Sequence, residues 1–251
     1  MTQQSRQGSG WLPVVAALLL AGCASPPNEG ANPAAQTRLQ LGLEYLARND
    51  LDSARRNLEK ALQAAPQDYR TQLGMALYEQ RIGANQAAER RYQLALRQAP
   101  GNGGVMNNYG AFLCGLGQYG AAQRQFDAAA QLPDYRQVAD ALENAGYCFF
   151  KAGQDDNARR ALSQALKHDP AKGATLLAET DKRFSAEKYQ QAQLLLGVYQ
   201  HILPASAESL WLQIRFAALA NRDDELEHYG KLLARSFPQS KQYQQFLANE
   251  Y

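Results

Sequence analysis

The sequence is poor in the residues that chemistry usually demands. It holds three histidines and three cysteines in 251 residues. His168, His201 and His228 stand far apart, with no H-E-x-x-H around any of them. G-x-S-x-G, C-x-x-C and Walker sequences are missing as well, which removes the common signatures of nucleophilic, redox and phosphate-loop sites. Two acidic clusters, Asp155-Asp156 and Asp223-Asp224-Glu225, read as the starts of helices after a turn rather than as paired catalytic carboxylates. The formal net charge is only +2, so the basic face that nucleic acid requires is not in evidence. We expect neither an enzyme nor a metal or cofactor site.

Long apolar runs are also scarce. The longest follows the single cation Arg6 and extends from Trp11 to Ala21, interrupted only by Pro13. As a helix it rises about 16 Å, roughly half of a ~30 Å hydrocarbon core, so it is too short to span and fits a bacterial secretion signal, residues 1–22. It ends in Leu20-Ala21-Gly22-Cys23. That tetrapeptide resembles the lipobox of bacterial lipoproteins, which implies cleavage before Cys23 and acylation of its thiol. Multiple acyl chains make a persistent anchor. Ala24 and Ser25 carry no inner-membrane retention signal, which by the same resemblance implies the outer membrane. Residues 23–34, rich in Pro, Ala and Gly, read as the acylated N-terminus and a flexible tether.

Beyond the tether the chain repeats. Pro66, Pro100, Pro170, Pro204 and Pro238 recur at spacings of 34, 70, 34 and 34, and Pro133 fills the gap one residue out of step. Ala54, Ala88, Ala122, Ala158 and Ala192 follow at 34, 34, 36 and 34. A period of 34 belongs to tetratricopeptide repeats, whose paired antiparallel helices stack into a superhelix. The expected fold is all-α, a right-handed superhelix of six repeats over residues 35–240. The units fall at 35–68, 69–102, 103–136, 139–172, 173–206 and 207–240, with a capping helix over 241–251 whose Tyr243, Phe246 and Leu247 cover the last unit. In unit one, Gly42 and Ala54 are small where the helices cross, while Tyr45 and Leu58 fill the space beside them. The eighth position is small in units one to four but is Thr180 in unit five and Ile214 in unit six.

This register decides the meaning of GLGQYG, residues 115–120, which has the spacing of a dinucleotide-binding loop. Such a loop must follow a strand. Here the preceding segment reads as a helix, so the stretch is the turn inside unit three, with Gly110 at the helix crossing and Gly117 in the left-handed conformation.

Two features bear on function. Cys114 and Cys148 fall on the first helices of units three and four, where an oxidising compartment permits a bridge and where two buried thiols would also serve as small apolar residues. The concave surface of such a superhelix is lined by first helices. In units one and two that rule selects Leu39, Leu43, Leu46, Leu73 and Leu77, with Arg70 and Arg81 at the rim, as an apolar patch for a partner protein. Further along, Asn107, Glu143, Tyr147, Phe150, Phe184 and Trp211 make a more mixed surface.

Residues 105–154 carry a closer resemblance. MNNYGAFLCGLGQYGAAQRQF followed by ALENAGYCFFKAGQ is similar to the type IV pilus biogenesis and stability lipoproteins, pilotins of the PilF/PilW type. The resemblance implies a non-enzymatic, periplasm-facing outer-membrane lipoprotein. Such a protein uses the lipoprotein sorting machinery and binds the type IV pilus secretin subunit. It promotes secretin localisation and multimer assembly, and so pilus biogenesis and twitching motility. It also implies pairing of Cys114 with Cys148. The alternative on the same fold is a periplasmic lipoprotein scaffold for β-barrel assembly or peptidoglycan enzymes.

Overall fold

The computed structural model describes residues 32–251, a compact unit with its own core. The signal segment and Cys23 lie outside the described residues. Among those described there are thirteen helices and no strand. They are α1 (Pro33–Ala47), α2 (Leu51–Ala64), α3 (Tyr69–Arg81), α4 (Asn85–Gln98), α5 (Gly103–Gly115), α6 (Tyr119–Ala130) and α7 (Val138–Lys151). Then follow α8 (Asp155–His168), α9 (Lys172–Ser185), α10 (Tyr189–Ile202), α11 (Ala207–Leu219), α12 (Asp223–Ser236) and α13 (Lys241–Leu247). Consecutive helices pair as hairpins, and each hairpin packs on the next.

Local chemistry sets where the helices begin. α1 starts at Pro33, inside the stretch read from sequence as tether. Proline suits the first helical position, and the Asn32 side chain accepts hydrogen bonds from the N–H groups of Ala34 and Ala35. Asp50, Asp68, Asn102 and Ser240 cap their helices in the same way, and Ser206 and Ser209 cap each other reciprocally at α11.

The turn inside every hairpin contains one residue with positive φ: Asn49, Gly83, Gly117, Gly153, Glu187 and Asn221. Asparagine and glycine tolerate this left-handed conformation, whereas glutamate is strained there. GLGQYG is such a turn. α5 leads into it, Gly117 has φ 77°, and α6 leaves it, so this stretch is a helix–helix turn and not a strand-to-helix phosphate loop.

The hairpins close on one recurring pair of side chains. A Cβ placed on Gly42 would lie 2.6 Å from Leu58 Cγ, and one on Gly146 2.6 Å from Leu162 Cγ. On Gly110 it would lie 2.7 Å from a ring carbon of Phe126. In each case the facing residue stands sixteen positions on. The same offset separates Ala76 from Tyr92, Thr180 from Leu196 and Ile214 from Gly230, and in unit six the small residue stands on the second helix, where Phe246 of α13 packs against it. Thr180 and Ile214 are fully buried, and Thr180 returns its hydroxyl proton to the Leu176 carbonyl. Larger residues at the crossing leave α9 and α10 less closely apposed than α7 and α8.

The core follows the stack. Tyr92, Tyr109 and Phe112 stack at its centre with centroids 5.1–6.3 Å apart, and the Tyr92 hydroxyl donates to Gln80 Oε1 at 2.6 Å. Burial raises the pKa of Tyr92, so the phenol stays neutral. At the C-terminus Phe246 lies over Gly230, and Tyr243 joins the same cluster. Leu247, expected to cover the last unit, is 58% exposed instead. Tyr243 and Phe246 are three apart and share the packed face, while Leu247 ends the helix before the chain turns at Asn249, φ 54°.

Between units four and five the stacking changes character. α8 packs directly on α10, whereas α7 and α9 meet through long side chains. Lys172 Nζ lies 2.6 Å from both Asp140 Oδ1 and Glu143 Oε2, and the Arg183 guanidinium sits 4.5 Å from the Phe150 ring centroid. Burial alone would lower the Lys172 pKa, but hydrogen bonds to the two carboxylates outweigh it and hold the ammonium above its usual value.

Candidate protein-binding grooves

First helices place two concave features at opposite ends of the stack. At the N-terminal end a shallow groove of about 540 Å³ is walled by Leu39, Leu43 and Ala47 of α1, with Gln36 and Glu44 on its polar edge and Arg70 of α3 across from them. Leu39 reaches α3 because Gly74 leaves room for it: a Cβ there would lie 2.6 Å from Leu39 Cδ1.

The leucines selected from sequence do not all face the groove. Leu39 and Leu43 line it. Leu46 is only 6% exposed and belongs to the core with Ala54, Leu58 and Met75, which corrects its assignment as a partner contact. Its place on α1 turns it toward α2, and a positional rule for concave residues cannot see that. Leu73 and Leu77 are half-buried and pack against the core rather than lining the groove. The apolar wall is thus narrower than five leucines.

The rim cations differ in their freedom. Arg70 is held by Asp68, with Nε to Oδ1 at 2.9 Å and Nη2 to Oδ2 at 2.6 Å. Partial burial would raise the Asp68 pKa, but the hydrogen bonds from the Arg70 side chain and backbone N–H outweigh it and hold the carboxyl below its ordinary value. Arg81 is exposed and donates weakly to Asn49 Oδ1 at 3.3 Å.

The second feature is larger, a cavity of about 940 Å³ between α9 and α11 that is closed on one side by α13 and the C-terminal residues. Phe184, Leu177 and Trp211 form its apolar surface, and Lys241 and Tyr251 its outer edge. The Arg215 guanidinium lies 4.1 Å from the Phe184 ring centroid and is paired with Asp181, so the charge is fixed on an aromatic platform. Sequence reasoning found Phe184 and Trp211 but not the enclosure, which depends on the tail folding back. The other mixed-surface residues serve the stack: Asn107 accepts from Asn144, Glu143 binds Lys172, and Phe150 lies beneath Arg183.

Cys114 on α5 and Cys148 on α7 are joined by a disulfide, with Cα atoms 5.8 Å apart. No group of three or more His, Cys, Asp or Glu able to hold a metal occurs among the described residues. Asp155 and Asp156, like Asp223 to Glu225, occupy first turns of helices, where negative charge suits the helix dipole.

A profile for the tetratricopeptide repeat matches residues 35–68. An uncharacterised protein of Haemophilus influenzae is 33% identical over 158 residues, which span 62% of this chain and 88% of that protein. The type IV pilus assembly protein PilF of Pseudomonas aeruginosa is 27% identical over 223 residues, 89% of this chain and 88% of PilF. The crystal structure of PilW, described as a widely conserved type IV pilus biogenesis factor, superposes with a TM-score of 0.60 at 27% identity. That superposition covers 86% of this chain and all of the PilW chain.

Proposed function

The chain belongs to the tetratricopeptide-repeat family and is homologous to PilF and PilW, and from that premise we propose that it is a non-enzymatic factor for type IV pilus biogenesis. In this reading Cys23 is acylated and fixes the protein to the outer membrane, facing the periplasm. The groove at Leu39 and Leu43 holds a secretin subunit, so membrane and cargo are carried by one molecule. Secretin multimers then assemble in the outer membrane, and pili and twitching motility depend on them.

The observation that carries the proposal is coverage. Similarity to PilF spans 89% of the chain and to PilW 86%, far more than one repeat that any scaffold might share. The groove supports a protein partner on physical grounds, because an apolar wall edged by an oriented guanidinium accepts the apolar face of a helix and fixes its polar side.

The deciding experiment fractionates membranes of cells lacking the protein and follows secretin multimers. Monomeric secretin, or multimers in the inner membrane, would support the reading; normal outer-membrane multimers would replace it with the general scaffold. Leu43→Asp then tests the groove. Leu43 is half-buried at the surface, so the variant is expected to fold and to bind secretin at least tenfold more weakly, about 1.4 kcal/mol. Unchanged affinity would move the interface elsewhere.

A further inference from the structure

A third concavity lies on the other side of the stack, where second helices face outward. Between α8 and α10 runs a groove of about 490 Å³ bordered by Arg159, Arg160 and Lys167 of α8 and His201 of α10. No carboxylate lines it, and α10 has no acidic residue along its whole length. All four of these side chains are exposed. Arg160 donates to Asn157, while neither Arg159 nor Lys167 takes part in an ion pair among the described residues. Elsewhere among the described residues nine of the other twenty-two Lys and Arg have a carboxylate partner, whereas here none of the three does.

The floor of the groove is apolar on its α10 side, with Ser163 and Gln164 of α8 opposite. Gly197, Val198 and Ile202 supply that side, and Gly197 keeps it open beneath Arg159, whose Nη1 would stand 3.8 Å from a Cβ there. Unpaired cations above an apolar floor match an amphiphile that bears a phosphate, with the phosphate among the guanidinium groups and the glycerol region against the floor. A soluble acidic peptide would use the cations but leave the floor without a role.

We infer that the α8–α10 groove binds the phosphate headgroups of an anionic phospholipid surface. The folded unit then makes its own contact with the membrane through its second helices, with both concave features left open to protein partners. The inference does not depend on the pilus reading or on acylation of Cys23.

The test uses residues 32–251, which lack the acylation site and form a compact unit with its own core. Binding is measured by flotation with vesicles of phosphatidylcholine alone and with a quarter of phosphatidylglycerol. We expect binding to the anionic vesicles only, weakening as salt rises. Each Lys or Arg near such a surface contributes about fivefold, so the triple variant Arg159→Gln, Arg160→Gln, Lys167→Gln should lose on the order of a hundredfold. Its thermal unfolding should match the parent, because all three side chains are exposed. Two results would each overturn the inference: no binding to anionic vesicles, or equal binding by the triple variant.

Discussion

Gly110→Ala is the sharpest test of how the hairpins close. The added Cβ would stand 2.7, 2.9 and 3.1 Å from three atoms of the Phe126 ring, against the ~3.5–4.0 Å of ordinary carbon contacts. Phe126 is 1% exposed and held among Tyr109, Phe112 and Ala122, so the ring cannot swing away into solvent. Overpacking of this kind costs about 1–3 kcal/mol, while replacing a mid-helix glycine by alanine returns about 0.5–1 kcal/mol. With three ring atoms in conflict the first effect wins, and we expect a net loss of about 1–2 kcal/mol.

In urea unfolding of residues 32–251, with a slope of about 2–3 kcal/mol/M, the midpoint should fall by about 0.5 M. Gly120→Ala in α6 is the control, since nothing lies within 4 Å of its added Cβ; its midpoint should stay or rise slightly. Phe126→Leu in the Gly110→Ala background should be less damaging than the two single changes summed. Unit two already places Ala76 opposite Tyr92, so alanine is tolerable where the helices have been set for it. A Gly110→Ala midpoint at or above the parent's would refute the close-crossing argument.

Other expectations are simpler to state. Glu187→Gly should stabilise the fold by about 0.5–1 kcal/mol in the same urea assay, because it relieves a left-handed glutamate. Unfolded, unreduced residues 32–251 should show no titratable thiol. Changing Cys114 and Cys148 to Ser should lower stability by about 3–4 kcal/mol, given a closed loop of 34 residues. Asp68→Asn keeps the α3 cap but removes the charge partner of Arg70, with a cost of roughly 0.5–1 kcal/mol near pH 7 since Arg70 is partly exposed. The folded Asp68 pKa is lowered, so its contribution is present above the unfolded value of about 3.9 and lost as pH falls through the folded one. Parent and variant should therefore converge in stability below about pH 4, and a gap that persists to pH 2 would exclude this ion pair as its cause.

The sequence discloses what repeats and conceals what does not. Prolines and alanines at a period of 34 are enough for an all-helical stack, since each marks a helix end or a crossing that the fold needs six times over. Ile214 departs from that pattern: the residue sixteen positions on is Gly230, and the room it leaves is taken by Phe246 of α13, which no repeat register signals. Leu46 was misread because a list of concave positions says nothing about which neighbour, Leu58 or solvent, lies beside a given leucine. The C-terminal cavity was missed for a different reason: it forms only when residues far along the chain return over α9 and α11, and no local signal encodes that return.

The bond between Cys114 and Cys148 sits near the middle of the array, tying the first helices of adjacent hairpins. A linear array loses order from its ends, one unit at a time, because each unit leans only on its neighbours. A covalent rivet at the centre turns such peeling into two separate processes that cannot run through each other. If the chain were pulled from both termini, the segment between the cysteines, a sequence separation of 34, would add no length until the bond was reduced. The extension gained in a single-molecule trace, with and without reductant, would report that rivet directly.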